Sequence, residues 1–84
     1  MRFHKNFEKK YTKLPLAIRQ RFKERCDLLT ANPFDTALHN HMLKGKYKGY
    51  RSINITGDYR AVYKLIENGT VIFVEIGTHG ELYP

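Results

Sequence analysis

Apolar positions follow one period in the first half of the chain and another in the second. Phe7, Tyr11, Ile18, Phe22, Cys26 and Leu29 recur at helical spacing, and Pro15 suits the first position of a helix. The residue before a proline avoids helical dihedrals, so Leu14 marks a break. The pattern predicts one helix over Lys5 to Lys13 and a second over Pro15 to Thr30, stopped by Asn32-Pro33. From Tyr50 onward, β-branched and aromatic residues dominate three runs, Tyr50 to Ile55, Tyr59 to Ile66 and Val71 to Gly77. Thr56-Gly57-Asp58 separates the first two, and Glu67-Asn68-Gly69 carries the Asn-Gly pair of a tight hairpin. With Arg2 to His4 as an edge strand, the expected architecture is α+β, in the order β-α-α-β-β-β. Two N-terminal helices would pack on one face of a small, largely antiparallel four-stranded sheet, leaving the other face free to bind. No linker, repeat or second domain interrupts residues 1–84.

Size and composition constrain this picture. A chain of 84 residues with 42% hydrophobic and 13% aromatic content folds around a thin core, burying about 60 to 65% of its unfolded surface. The single cysteine, Cys26, forms no internal disulfide, which fits a reducing compartment. The N-terminus MRFHKNFEKK lacks the apolar run of a signal peptide, and no stretch approaches the roughly 18 apolar residues of a membrane span. The expectation is a cytoplasmic protein with no membrane association.

Charge is unevenly spread. Residues 1–51 hold thirteen Lys and Arg against four Asp and Glu, a net of +9, whereas residues 52–84 hold two against four, a net of −2. On the second helix Arg19 and Lys23, and Arg21 and Arg25, stand four apart, so like charges face each other at a cost of a few tenths of a kcal/mol per pair. Local stability does not favour such pairs, but an anionic partner would. A merely solubilising charge excess accounts for the total equally well.

The candidate chemistry lies between Asn40 and the C-terminus. In NHMLKGKYKGYR, Lys44, Lys46, Lys48 and Arg51 alternate with Tyr47 and Tyr50, a mixture suited to holding phosphates and stacking on single-stranded bases. An exposed basic loop whose tyrosines roof the core would look the same. His39, His41 and His79 fall where they can meet over the sheet, and histidine exchanges protons near neutrality. His39-x-His41 also invites a metal reading, but no further ligand stands at a recognised spacing, so neither a metal nor a cofactor is expected. Arg60, among β-formers, must be solvated, paired or aimed at an anion, and Asp58 is its obvious neighbour.

Three segments together resemble a known family. His41-x-Leu43-x-Gly45, the run Asp58-Tyr59 to Tyr63-Lys64-Leu65, and Gly77-Thr78-His79 to Leu82-Tyr83 look like the RelE-type toxins, most of all their YafQ-like branch. The resemblance covers the chain in outline and is specific from His41 to Tyr83. It implies a toxin of a type II toxin–antitoxin system that cleaves mRNA in the ribosomal A site without a metal, through attack by the 2′-hydroxyl. It also implies a cognate antitoxin as partner, with DNA engaged only indirectly through that antitoxin. By position, His41, Asp58, His79 and Tyr83 fall on family site residues, and Arg60 on an arginine of the RelE branch. His41 and His79 would serve as base and acid in either order, Asp58 would tune a histidine, Arg60 and Lys44 would hold the phosphate, and Tyr83 would stack a base. Asn54 stands where the YafQ-like pattern carries a histidine; either it positions RNA or Arg60 supplies the missing charge. Two alternatives remain open at this point: a binding module that has lost cleavage and serves its antitoxin as co-repressor, and a ribonuclease that acts on free RNA.

Overall fold

The computed structural model describes residues 1–83. In chain order they form β1 (Arg2–Phe3), α1 (Lys5–Tyr11), α2 (Leu16–Ala31), β2 (His41–Met42), β3 (Arg51–Asn54), β4 (Tyr59–Leu65), β5 (Val71–Thr78) and a one-turn α3 (His79–Leu82). Short 3-10 turns occupy Thr36–Leu38 and Gly45–Tyr47.

Both predicted helices are present, with shifted ends. His4 caps α1, its Nδ1 accepting the Asn6 N–H at 3.2 Å. The helix closes at Tyr11, two residues before the expected Lys13, because the chain must turn ahead of Pro15. Pro15 precedes α2 instead of opening it: its backbone is extended, and its carbonyl accepts the N–H groups of Ile18 and Arg19 at 3.0 and 3.1 Å. Phe22 and Leu29 are buried, with Ile18 and Cys26 half-buried beside them, as the helical spacing requires.

The sheet has five strands rather than four, ordered β1-β5-β4-β3-β2. β1 runs parallel to β5, and every other pairing is antiparallel. The additional strand is β2, where His41 pairs with Ser52 and Met42 with Arg51. Two residues are too few to generate an alternating pattern, so the sequence carries no signal for it. The β4–β5 turn is the expected Asn-Gly hairpin: Gly69 adopts φ +81°, and Asn68 Oδ1 accepts the Thr70 N–H.

A β-bulge decides which face each residue of β5 takes. Val62 lies opposite Glu75 but Tyr63 opposite Phe73, leaving Val74 as the extra residue. Phe73 and Ile76, three apart, therefore both enter the core, where strict alternation would have sent them to opposite faces. There Phe73 meets Phe7 and Phe22 at centroid separations of 5.6 and 5.0 Å, and Ile53, Ile55 and Ala61 complete the layer under the helices. Cys26 packs against this cluster, and burial, followed by the nearby Asp27, pushes its thiol up to about 12. It stays protonated, as a packing residue should. No helix among the described residues is long and apolar enough to cross a membrane.

Candidate active site

The face turned away from the helices carries the polar residues. Strand register sets them in rows, with Asn54, Arg60 and Gly77 in one and His41, Ser52, Val62 and Glu75 in the next. This face is not wholly open, because α3 folds back across it. Gly77 leaves room for it: a Cβ there would stand 3.2 Å from Glu81 Oε1 and 3.6 Å from Leu82 Cδ2. α3 starts in a capping box, Thr78 Oγ1 accepting the Glu81 N–H at 3.2 Å and Glu81 Oε1 accepting the Thr78 N–H at 2.7 Å. The Thr78 backbone N–H, and after it the Thr78 side chain, hold the Glu81 carboxyl below its ordinary range. Leu82 and Val62 are buried, and the Tyr83 hydroxyl donates to the buried Ser52 Oγ at 3.0 Å.

One pocket of about 330 Å³ brings together His41, Arg60, His79 and Tyr83, four of the five residues predicted to carry the chemistry. His39 and Leu43 complete its lining. His79 is exposed at the start of α3, its N–H donating to the Asp58 carbonyl at 2.9 Å and its ring 5.0 Å from that of Tyr83. Asp58, the fifth, thus contributes backbone: its side chain points to no ion pair among the described residues. Arg60 is held elsewhere than on Asp58. Its Nη1 donates to the carbonyls of Thr56, Gly57 and Tyr59 at 3.0 to 3.2 Å, which fixes the guanidinium at the pocket wall.

His41 is oriented by its own neighbour. The Nδ1 lies 2.8 Å from the His39 carbonyl, and a carbonyl can only accept, so Nδ1 carries a proton. The neutral imidazole then keeps its lone pair on Nε2. The His39 carbonyl is aimed this way because His39 caps the preceding 3-10 turn in the left-handed region, φ 45° and ψ 47°, one of the conformations that histidine tolerates better than most residues. His39, expected only as a third proton-exchanging histidine, thus also orients His41 through its backbone carbonyl. Asn54 lies across from Arg60, and its Oδ1 is buried without a hydrogen-bond partner among the described residues.

The basic loop divides. Tyr47 stacks edge-on against Tyr83 at 6.3 Å and against Tyr50 at 6.2 Å, with Lys46 above the Tyr47 ring. Lys64, absent from the predicted set, covers the Tyr50 ring at 5.6 Å. Burial raises the Tyr47 phenol above its ordinary value, Glu75 adding to the rise. Lys44 and Lys48 flank this ladder as exposed residues at the two ends of the 3-10 turn. Arg51 is placed apart from them, on the helix side of the sheet, where its Nε donates to Asn40 Oδ1 at 2.8 Å and its guanidinium covers Phe34. No group of three or more His, Cys, Asp or Glu is placed to hold a metal ion among the described residues.

Comparison with known structures places this architecture among the RelE-like toxins. It is similar to YafQ from E. coli strain BL21(DE3), with a TM-score of 0.79 and 25% identity over 99% of this chain and 96% of that one. Similar too are the E. coli DinJ–YafQ toxin–antitoxin complex (TM-score 0.77, 25% identity, 99% and 94% covered) and the RelB–RelE antitoxin–toxin complex from Methanococcus jannaschii (0.74, 26%, 99% and 95%). The model of the YafQ family, bacterial toxins of type II toxin–antitoxin systems, matches residues 1–84, and the chain belongs to that family. A sequence search of the curated proteins returned no match.

Proposed function

We propose that this toxin is a ribosome-dependent endoribonuclease that cleaves mRNA by internal attack. The observation that carries the reading is the single pocket shared by His41, Arg60, His79 and Tyr83. His41 Nε2, the lone-pair nitrogen, takes the proton from a 2′-hydroxyl, and the O2′ forms a bond to the adjacent phosphorus. As the P–O5′ bond breaks, His79 gives its proton to the departing O5′, so the products are a 2′,3′-cyclic phosphate and a 5′-hydroxyl. Each such proton transfer is typically worth about 10² to 10⁴ in rate. Arg60, immobilised by three carbonyls, meets the charge on the phosphate without having to reorganise. Tyr83 offers a ring whose hydroxyl is committed to Ser52, which suits stacking. Asn54, in the same row as Arg60, would have a positioning role that needs no proton exchange.

Lys44, Lys46 and Lys48 would hold flanking phosphates, and the Tyr47 and Tyr50 rings neighbouring bases. The solved YafQ and RelE complexes support a cognate antitoxin as partner; the toxin itself would act in the cytoplasm, where the ribosomes are. An acidic antitoxin segment would relieve the like-charge pairs of α2, and the exposed Leu16, Phe34, Met42 and Leu65 offer it apolar contacts.

The test is cleavage of a message on purified ribosomes with a 2′-deoxy nucleotide before the cut. Cleavage should vanish while ribosome binding persists, because the nucleophile is gone and the phosphate contacts remain. Cutting of the deoxy message would overturn internal attack, and equal cutting of free RNA would overturn dependence on the ribosome.

A further inference from the structure

Tyr83 of the catalytic pocket packs against Tyr47, and Tyr47 in turn lines a second hollow, of about 280 Å³, together with Tyr50, Lys46, Asn6 and Glu75 among others. Its chemistry differs from that of the first, since it holds a carboxylate where the first holds histidines and an arginine. Glu75 reaches this side of the sheet because of the β5 bulge. Its Oε1 accepts from Lys10 Nζ at 2.6 Å and its Oε2 from Asn6 Nδ2 at 3.1 Å, and these two residues stand four apart on α1. The side chain is largely covered, 18% exposed. Each carboxylate oxygen offers about two acceptor sites, so each keeps one free after these bonds.

We propose that this hollow is a nucleobase subsite that takes guanine, with Glu75 as the residue that selects it. The proposal rests on the reading of the chain as an RNA-cleaving toxin and names a specificity determinant for it. Guanine presents two neighbouring donors, N1–H and the 2-amino group, matching the two oxygens of one carboxylate. Adenine and cytosine present a single exocyclic amine flanked by a ring acceptor, and uracil a single N–H between two carbonyls, which the carboxylate repels. Tyr50 and Tyr47 provide ring faces and edges for the base, with Lys46 at the wall for its phosphate. The alternative is that Glu75, Lys10 and Asn6 only fasten α1 to the edge of the sheet.

Mononucleotides decide between these without requiring cleavage. In amide-resolved NMR titrations of the full chain, guanosine 5′-monophosphate should shift the signals of Asn6, Tyr50 and Glu75, and uridine 5′-monophosphate should not. Inosine 5′-monophosphate, which lacks the 2-amino group, should bind roughly tenfold more weakly than the guanosine nucleotide, through loss of one charge-assisted hydrogen bond. That comparison uses the unaltered protein, so it stands even if a variant fails to fold. Glu75→Gln should erase the difference between guanosine and inosine nucleotides, whereas Lys10→Met, which breaks the fastening but keeps the carboxylate, should preserve it. On ribosomes, Glu75→Gln should lower the preference for guanine at one position near the cut by roughly tenfold. Equal shifts by guanosine and uridine nucleotides, or a uniform loss of cleavage at every base in Glu75→Gln and Lys10→Met alike, overturn the subsite. Absence of any cleavage by the wild-type chain would count against the ribonuclease reading instead, and the titrations would still settle the subsite.

Discussion

On the helix side the sheet presents Ile53, Ile55, Ala61, Phe73 and Ile76; on the other, the same strands present Asn54, Arg60, Ser52, His41 and Glu75. The first set is closed by rings from α1 and α2 at separations of 5.0 to 5.6 Å. The second is closed by a single four-residue helix, one tyrosine and a 3-10 turn. Burial energy therefore comes mainly from one face, while the other holds its side chains through hydrogen bonds to fixed backbone, the His39 carbonyl for His41 and three turn carbonyls for Arg60, and anchors the His79 backbone on the Asp58 carbonyl. A small protein can place polar groups with precision on such a face because the opposite face has already made the sheet rigid.

The sharpest break in that comparison is between chemistry and folding. His41→Ala and His79→Ala should each lower cleavage by about 10² to 10⁴ while thermal melting stays close to wild type. Phe73→Ala should do the reverse, costing about 3 to 5 kcal/mol and lowering Tm sharply, with little loss of rate per folded molecule. Parallel melting and ribosome-cleavage assays read both. A histidine variant that unfolds, or a Phe73 variant that melts normally, would dissolve the division of labour between the faces.

A smaller effect is expected at the buried centre of the polar face. Ser52 is buried there on β3 and receives the Tyr83 hydroxyl, so Ser52→Ala should cost about 1 kcal/mol and leave the Tyr83 ring less ordered. Cleavage should fall while Phe73 and its neighbours keep their native NMR shifts; a disturbance that spreads to those rings would show that the two faces are coupled.

The smallest effect is a pH dependence of α3. The Glu81 carboxyl is held below its ordinary value, first by the Thr78 N–H. A carboxyl depressed in the folded state adds stability above its unfolded pKa and loses it as pH falls through the folded value. Acid should therefore loosen the α3 cap before it loosens the core, seen as faster amide exchange at Glu81 and Leu82 in mild acid. Glu81→Gln should remove that pH dependence, and its persistence would assign the effect to another group.

The helices, the Asn-Gly hairpin and the histidine and arginine candidates were legible because each rests on local chemistry: helical spacing, a turn that needs positive φ, or a side chain able to exchange protons or bind phosphate. Alternation along β3 also carried a signal that the basic-loop reading passed over, since Arg51 shares the parity of Ile53 and so falls on the helix side with Asn40 and Phe34. Other features had no local trace. β2 exists because Ser52 and Arg51 lie opposite His41 and Met42, not because two residues prefer to be a strand. The bulge at Val74 arises from pairing with β4, and it alone sends Phe73 inward and Glu75 outward.

Residue type and spacing, then, determined which groups the protein has to work with and which elements carry them, because propensity and periodicity act within a few residues. Which of those groups share a pocket was decided by contacts far apart in sequence. Tyr83 meets Ser52 across 31 positions, and Glu75 meets Lys10 across 65. A carbonyl 2.8 Å away chose which nitrogen of His41 is free to take a proton, and no pattern of residues along the chain contains that distance.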